Sequence, residues 1–309
     1  MKYSVIILLE EHEEDFPKYV QNLYNLFASR DESFEILIMA NGIGGFLRNV
    51  LAQLNSLNDK LKAFEFSAKT SEAVCLRTAL KESNGQIVVA CGSFEQITKD
   101  SFVHLLESLD EKTDFISPWR HQRVDSRLRR FRSKAFNALV RKITKTDLHD
   151  LNCRVKIFRR EVLEETELYG NMYRYLPILA AHKGFKIKEV RCEHSQEHGG
   201  KSGVANIPEY FARIIDILTL YFNTRFTKKP LRFFSTIGLG FILAGFFITF
   251  YVFLQRFFVG HPIGDRPILL LAILLMVLGV QAASVGLLGE IIVFTHGRKK
   301  KEYTIEKTI

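Results

Sequence analysis

Two long uncharged runs near the carboxyl end constrain this chain more than any other feature. Residues 233–255 read "FFSTIGLGFILAGFFITFYVFLQ" and residues 268–289 read "ILLLAILLMVLGVQAASVGLLG". A bilayer core of roughly 30 Å is crossed by about 20 helical residues, so either run is long enough to span it. In lipid the backbone must satisfy its own hydrogen bonds, which a helix does within one segment. A buried helix of a water-soluble protein accounts for one such run. Two in tandem point to a transmembrane hairpin.

The flanks orient that hairpin. "RFTKKPLR" (225–232) precedes it and "HGRKKK" (296–301) follows it, whereas the linking segment carries only Arg256 and Arg266. Positive charge stays inside, so both termini are expected in the cytoplasm, on a multi-pass protein of the cytoplasmic (plasma) membrane. The chain opens "MKY" and runs directly into a strand-like segment, so no secretory signal is expected. Cys75, Cys91, Cys153 and Cys192 lack metal-site spacing and read as buried thiols in a reducing compartment. A net charge of +9 calls for an anionic partner, and beside two apolar runs that partner is membrane lipid rather than nucleic acid. Residues 207–222, "IPEYFARIIDILTLYF", form a broad apolar face with Glu209, Arg213 and Asp216 opposite. That pattern fits an interfacial helix lying in the headgroup plane, or a helix packed on the soluble domain.

Ahead of these segments, strands and helices alternate. Strands are expected at 2–9, 34–39, 63–67, 86–90 and 114–117, and helices at 16–28, 46–57 and 71–82. "VKIFRREVLEET" reads as a strand leading into a helix near Arg160, and residues 126–143 as a strongly basic helix. This is an α/β chain with a mostly parallel sheet and flanking helices. Ligands of such folds bind at the carboxyl ends of the strands. The strand at 86–90 ends in "CGSFEQ", where acidic or metal-binding residues would be looked for.

"WRHQRVD" (119–125), "LHDLNC" (148–153), "FRREVLEE" (158–165) and "LYGNMYRYLPILAAHKG" (168–184) occur in an order and spacing that resemble a known group. The chain is similar to the family-2 glycosyltransferases that move a sugar from a nucleotide onto a polyprenyl phosphate, the dolichol-phosphate mannose synthase and undecaprenyl-phosphate glucosyltransferase types. The likeness covers nearly the whole chain. It implies a GT-A-like domain at 1–205, an interfacial helix and basic juxtamembrane segment at 206–232, a two-span hairpin at 233–294 and a basic tail at 295–309.

The resemblance also implies site residues, and here the chain departs from the pattern. At the first strand, where the family places a nucleotide-holding turn, Leu8, Leu9, Glu10 and Glu11 stand, and acidic character persists at Glu13 and Glu14. The second strand ends "ANGIGG", with Asn41 where the family has aspartates for base and ribose. Cys91 and Ser93 replace the two aspartates of the family's metal-carrying D-x-D, and Glu95 is the nearest carboxylate. A thiol and a hydroxyl are poor ligands for magnesium or manganese, so the family's metal is implied while its ligands are missing, and no cofactor is expected. Asp150 stands at the position of the family's base. Arg120, Arg123, Arg127 and Arg130 persist as phosphate-binding candidates, joined by Lys201 in an eroded loop where Glu197 replaces an arginine.

Two functions follow from the resemblance. One is a pseudoenzyme that has lost metal-dependent transfer and keeps a role in binding lipid phosphate or a partner in envelope glycan synthesis. That partner would be a second copy of the chain or an active paralogue. The other is a working polyprenyl-phosphate transferase with a metal-independent donor site.

Overall fold

The computed structural model describes residues 1–11, 13–54, 60–121, 148–168, 170, 172–195, 219, 230–259 and 267–297. They fall into two compact units, a sheet domain and a helix pair.

The sheet has seven strands in the order β3-β2-β1-β4-β6-β5-β7. Its centre is made of β1 (Tyr3–Leu9), β2 (Phe34–Asn41) and β4 (Ile87–Cys91). Every residue of β1 and β2 is buried, as expected of parallel strands covered on both faces. β3 (Leu61–Phe66) forms one edge and β7 (Ile187–Glu193) the other; β3 mixes half-buried with exposed residues, and β7 buries only Val190 and Cys192. β6 (Lys156–Arg159) runs antiparallel between β4 and β5 (Phe115–His121).

Helix α1 (Phe16–Ala28) lays Phe16, Tyr19, Val20, Leu23, Leu26 and Phe27 on one face, with α2 (Phe46–Gln53) and α4 (Lys99–Glu107) beside it. α3 (Glu72–Glu82) packs on β1 and β2 from the opposite face. α5 (Arg160–Glu165), a 3-10 turn (Met172–Tyr175) and α6 (Leu176–His182) complete the domain. At the amino-terminal sheet edge buried polar groups are paired: Ser4 Oγ donates to Glu35 (2.9 Å) and Lys62 Nζ lies 3.1 Å from Glu35.

The expected strands and the helix at 16–28 are present, with boundaries displaced by up to four residues. The helix expected at 46–57 ends at Gln53, and residues 55–59 lie outside the described ones. α4 and β7 had no counterpart in the sequence reading. The basic helix at 126–143 and the interfacial segment at 207–222 lie outside the described residues.

The second unit pairs α7 (Pro230–Val259) with α8 (Pro267–Gly297), both long and apolar enough to cross a membrane. Only 17% and 11% of their most apolar stretches are buried, so neither is a soluble-protein core helix by packing. Gly238 meets Gly279 so closely that a Cβ on either would lie 2.5 Å from the other's carbonyl oxygen. Gly245 approaches the Ala272 carbonyl in the same way. Small residues of this kind let backbones touch where lipid offers no hydrophobic drive for helices to associate. Glu290 accepts a hydrogen bond from the Leu231 backbone N–H (3.3 Å) at the start of α7.

Candidate functional site

The register of β6 against β4 decides what stands at the carboxyl end of the sheet. Ala90 pairs with Lys156, and continuing the same antiparallel count brings Arg154 opposite Gly92, just past the end of β4. The side chain of Arg154 lies directly on that glycine: a Cβ at position 92 would be 2.8 Å from Arg154 Cδ. β1 lies on the other side of β4, and Glu10 follows its last residue. Glu72 opens α3.

Arg154 Nη2 donates to both acids, at 2.6 Å to Glu10 Oε2 and 3.2 Å to Glu72 Oε1. Its backbone is fixed as well, since its N–H donates to Gln96 Oε1 (2.7 Å) and its carbonyl accepts from Tyr173 Oη (2.6 Å). Burial would lower the arginine's pKa, but the Glu10 and Glu72 carboxylates raise it, so the group is a permanent cation. About 31% of the side chain remains exposed, which leaves it within reach of a ligand.

Two residues along, at the first position of β6, Lys156 is fully buried. Its Nζ donates to the Cys153 carbonyl (2.6 Å) and lies 5.0 Å from the centre of the Tyr173 ring. Burial brings its pKa down to about 8.

The donor-side candidates are not drawn together around a cation. Cys91 is fully buried in the core cluster, where Tyr19 hydrogen-bonds to it, and burial pushes the thiol up to about 12. Ser93 is buried too. Asn41 closes a ring with the backbone of Thr70: its amide donates to the carbonyl (2.9 Å) and its oxygen accepts from the N–H (2.7 Å). Glu13 gives its carbonyl to the Phe16 N–H at the entrance of α1. Glu95 lines a pocket of about 180 Å³ with Tyr19, Asn22 and Lys99, between α1 and the start of α4.

The divalent metal that the resemblance implies does not fit here. The thiol is protonated and turned inward, and Glu10 and Glu72 already hold a guanidinium. Among the described residues no group of three or more His, Cys, Asp or Glu side chains converges.

The second part of the site joins the ends of β5 and β7 to the loop at 148–153. Arg120 holds Asp150 by two prongs, Nε to Oδ2 at 2.7 Å and Nη2 to Oδ1 at 3.1 Å, with both side chains nearly sealed from solvent. The Asn152 N–H also donates to Asp150 Oδ1 (3.1 Å). His149 Nδ1 lies 2.7 Å from Glu189 Oε2, while Glu189 Oε1 accepts from the His149 backbone N–H (2.6 Å). Trp119 stacks on the His149 ring with centroids 4.2 Å apart and planes 17° from parallel. Arg191 covers the indole at 4.8 Å. Arg123, Arg127, Arg130 and Lys201 lie outside the described residues.

Sequence reasoning passed over Arg154, Lys156, Glu72 and Glu189. The signal was the cationic i, i+2 pair in "CRVK", two charges leading into a strand otherwise made to be buried.

No family model matches the chain. Curated relatives match it end to end. The dodecaprenyl-phosphate galacturonate synthase of Rhizobium johnstonii is 26% identical over 305 residues, covering 96% of this chain and 89% of the relative. The undecaprenyl-phosphate 4-deoxy-4-formamido-L-arabinose transferase of Proteus mirabilis is 23% identical over 312 residues, covering 100% and 94%. Among solved structures, glucosyl-3-phosphoglycerate synthase from Mycobacterium tuberculosis aligns with a TM-score of 0.52 at 13% identity, over 72% of this chain and 79% of that one. That likeness establishes the GT-A fold alone. Taken with the segments around Trp119, Asp150 and Arg160, the full-length matches support the resemblance to family-2 glycosyltransferases of the polyprenyl-phosphate type.

Proposed function

We propose that this protein transfers a sugar from a nucleoside-diphosphate donor to polyprenyl phosphate at a membrane, through a donor site that uses no metal. The carrying observation is the paired network of Arg120, Asp150, His149 and Glu189. Buried charges are costly unless partnered, and removing one partner is strongly destabilising. This network joins three separate chain segments with the Arg120–Asp150 pair complete, which supports a working site over a decaying one. The relatives' names support the lipid acceptor.

The chemistry fits the geometry. An acceptor-phosphate oxygen forms a bond to the anomeric carbon while the bond to the nucleoside diphosphate breaks, and the leaving group takes the electron pair. A phosphate monoester, with a second pKa of about 6, is already anionic at neutral pH and needs no general base. Asp150 therefore serves as a positioning residue that holds the loop bearing His149. His149 turns Nδ1 to Glu189 and Nε2 away from it, braced against Trp119. The basic flanks of the helix pair support a multi-pass arrangement with both termini on the cytoplasmic side.

A pseudoenzyme is the second reading, favoured by the buried Cys91 thiol where an acid would stand. One experiment separates the two. Purified full-length chain is incubated with labelled UDP- and GDP-sugars and undecaprenyl phosphate, and the lipid is extracted. Labelled glycolipid is expected. A folded protein that binds the lipid phosphate but yields none supports the pseudoenzyme.

A further inference from the structure

We infer that Arg154, backed by Lys156, is the built-in cation that holds the donor's diphosphate in place of a divalent ion. The inference rests on the transferase reading above and names the residues that make its donor site metal-free.

Location is the first argument. Arg154 lies over the end of β4 beside the end of β1, at the carboxyl edge where parallel sheets bind ligands. It occupies the place where the family resemblance puts its D-x-D.

Charge is the second. In a metal site two carboxylates hold a divalent cation, and the ensemble is neutral before the diphosphate arrives. Here Glu10 and Glu72 hold Arg154, and Lys156 is close enough to act electrostatically on Glu72. Two acids and two fixed cations give the same balance. A planar guanidinium also matches phosphate oxygens with paired, charge-assisted donors.

Rigidity is the third. Gln96 and Tyr173 clamp the Arg154 backbone, and Gly92 leaves the room its side chain occupies. A cation that stabilises a leaving group works best when it is already in place.

The test is calorimetric titration of the full chain in detergent with UDP, GDP and inorganic pyrophosphate, with either EDTA or manganese present. Binding in EDTA that manganese leaves unchanged is expected. Arg154→Ala should weaken it by roughly 10- to 100-fold, the range for losing a charge-assisted contact. Arg154→Lys should recover part of that loss. Gly92→Ala, which leaves every charge in place and only crowds the arginine, should weaken binding in the same direction, and a thermal melt checks that each variant is folded.

Binding that requires manganese overturns the inference, as does an Arg154→Ala protein that binds as tightly as the parent or more tightly. Absence of binding to all three probes overturns it too. The transferase reading fails separately: metal-free nucleotide binding with no glycolipid formed would sink that reading and leave Arg154 as the diphosphate cation.

Discussion

Arg120 and Asp150 meet in a two-pronged ion pair closed off from solvent, with Nε 2.7 Å from Oδ2 and Nη2 3.1 Å from Oδ1. Removing the acid alone strands a guanidinium in the interior. Asp150→Ala should therefore cost roughly 3 to 5 kcal/mol in chemical denaturation. Replacing both partners, Arg120→Met with Asp150→Leu, should restore most of that stability while transfer stays low, because the loop loses its anchor. A stable Asp150→Ala protein would show the pair to be dispensable.

Placing acids at the end of β4 should not create a metal site. Cys91 is fully buried against Tyr19, so Cys91→Asp places a carboxylate in the core rather than at the surface. Cys91→Asp with Ser93→Asp should lower the melting temperature and bind no manganese in a paramagnetic resonance titration. Tight manganese binding by that variant would mean that the site retains the geometry of a metal centre.

Lys156 makes stability depend on alkaline pH in a definite direction. Burial brings its pKa from an ordinary 10.5 down to about 8. Below about pH 8 folded and unfolded chains both carry the proton, and the full cost of burying the charge is present. Between about 8 and 10.5 the folded chain gives up its proton first, so the unfolding free energy rises with pH. The gap is worth roughly 3 kcal/mol at about 1.36 kcal/mol per pH unit. Lys156→Met should stabilise the protein at neutral pH, and the advantage over the parent should shrink as pH rises through this window. Denaturation curves at several pH values check it, and a constant difference would contradict it.

The helix pair offers a paired control within one turn of helix. Gly238 touches the Gly279 backbone, whereas Gly240 has nothing within 4 Å of where its Cβ would be. Gly238→Leu should separate the helices and lower thermal stability in detergent, and Gly240→Leu should be tolerated. Equal effects would show that the glycine contact does not hold the pair together.

The central strands could be read from the chain because β1, β2 and β4 are buried on both faces, and continuous runs such as "SVIILL" have few other uses in a soluble domain. β7, "IKEVRCE", escaped because an edge strand alternates charge with burial and resembles a surface loop. α4 is short and opens with Lys99, Asp100 and Ser101, so its apolar face shows only at Phe102, Leu105 and Leu106. Cys91 and Ser93, where the resemblance implies acids, were legible one by one. Arg154 was not, because its position depends on β6 pairing antiparallel with β4 across more than 60 residues of chain. No local pattern records that pairing. Glu189 was hidden for the same reason, since it reaches His149 only after β7 joins β5.

The most direct measurement of the whole account is glycolipid formation by the purified full-length chain in EDTA, from labelled nucleotide sugars and undecaprenyl phosphate. Product is expected in EDTA, with no stimulation by manganese or magnesium and a loss of roughly 10²- to 10³-fold in Arg154→Ala, as for other electrostatic stabilisers of a leaving group. Product that appears only when a divalent ion is added, or no product from a folded protein with any donor, would contradict it.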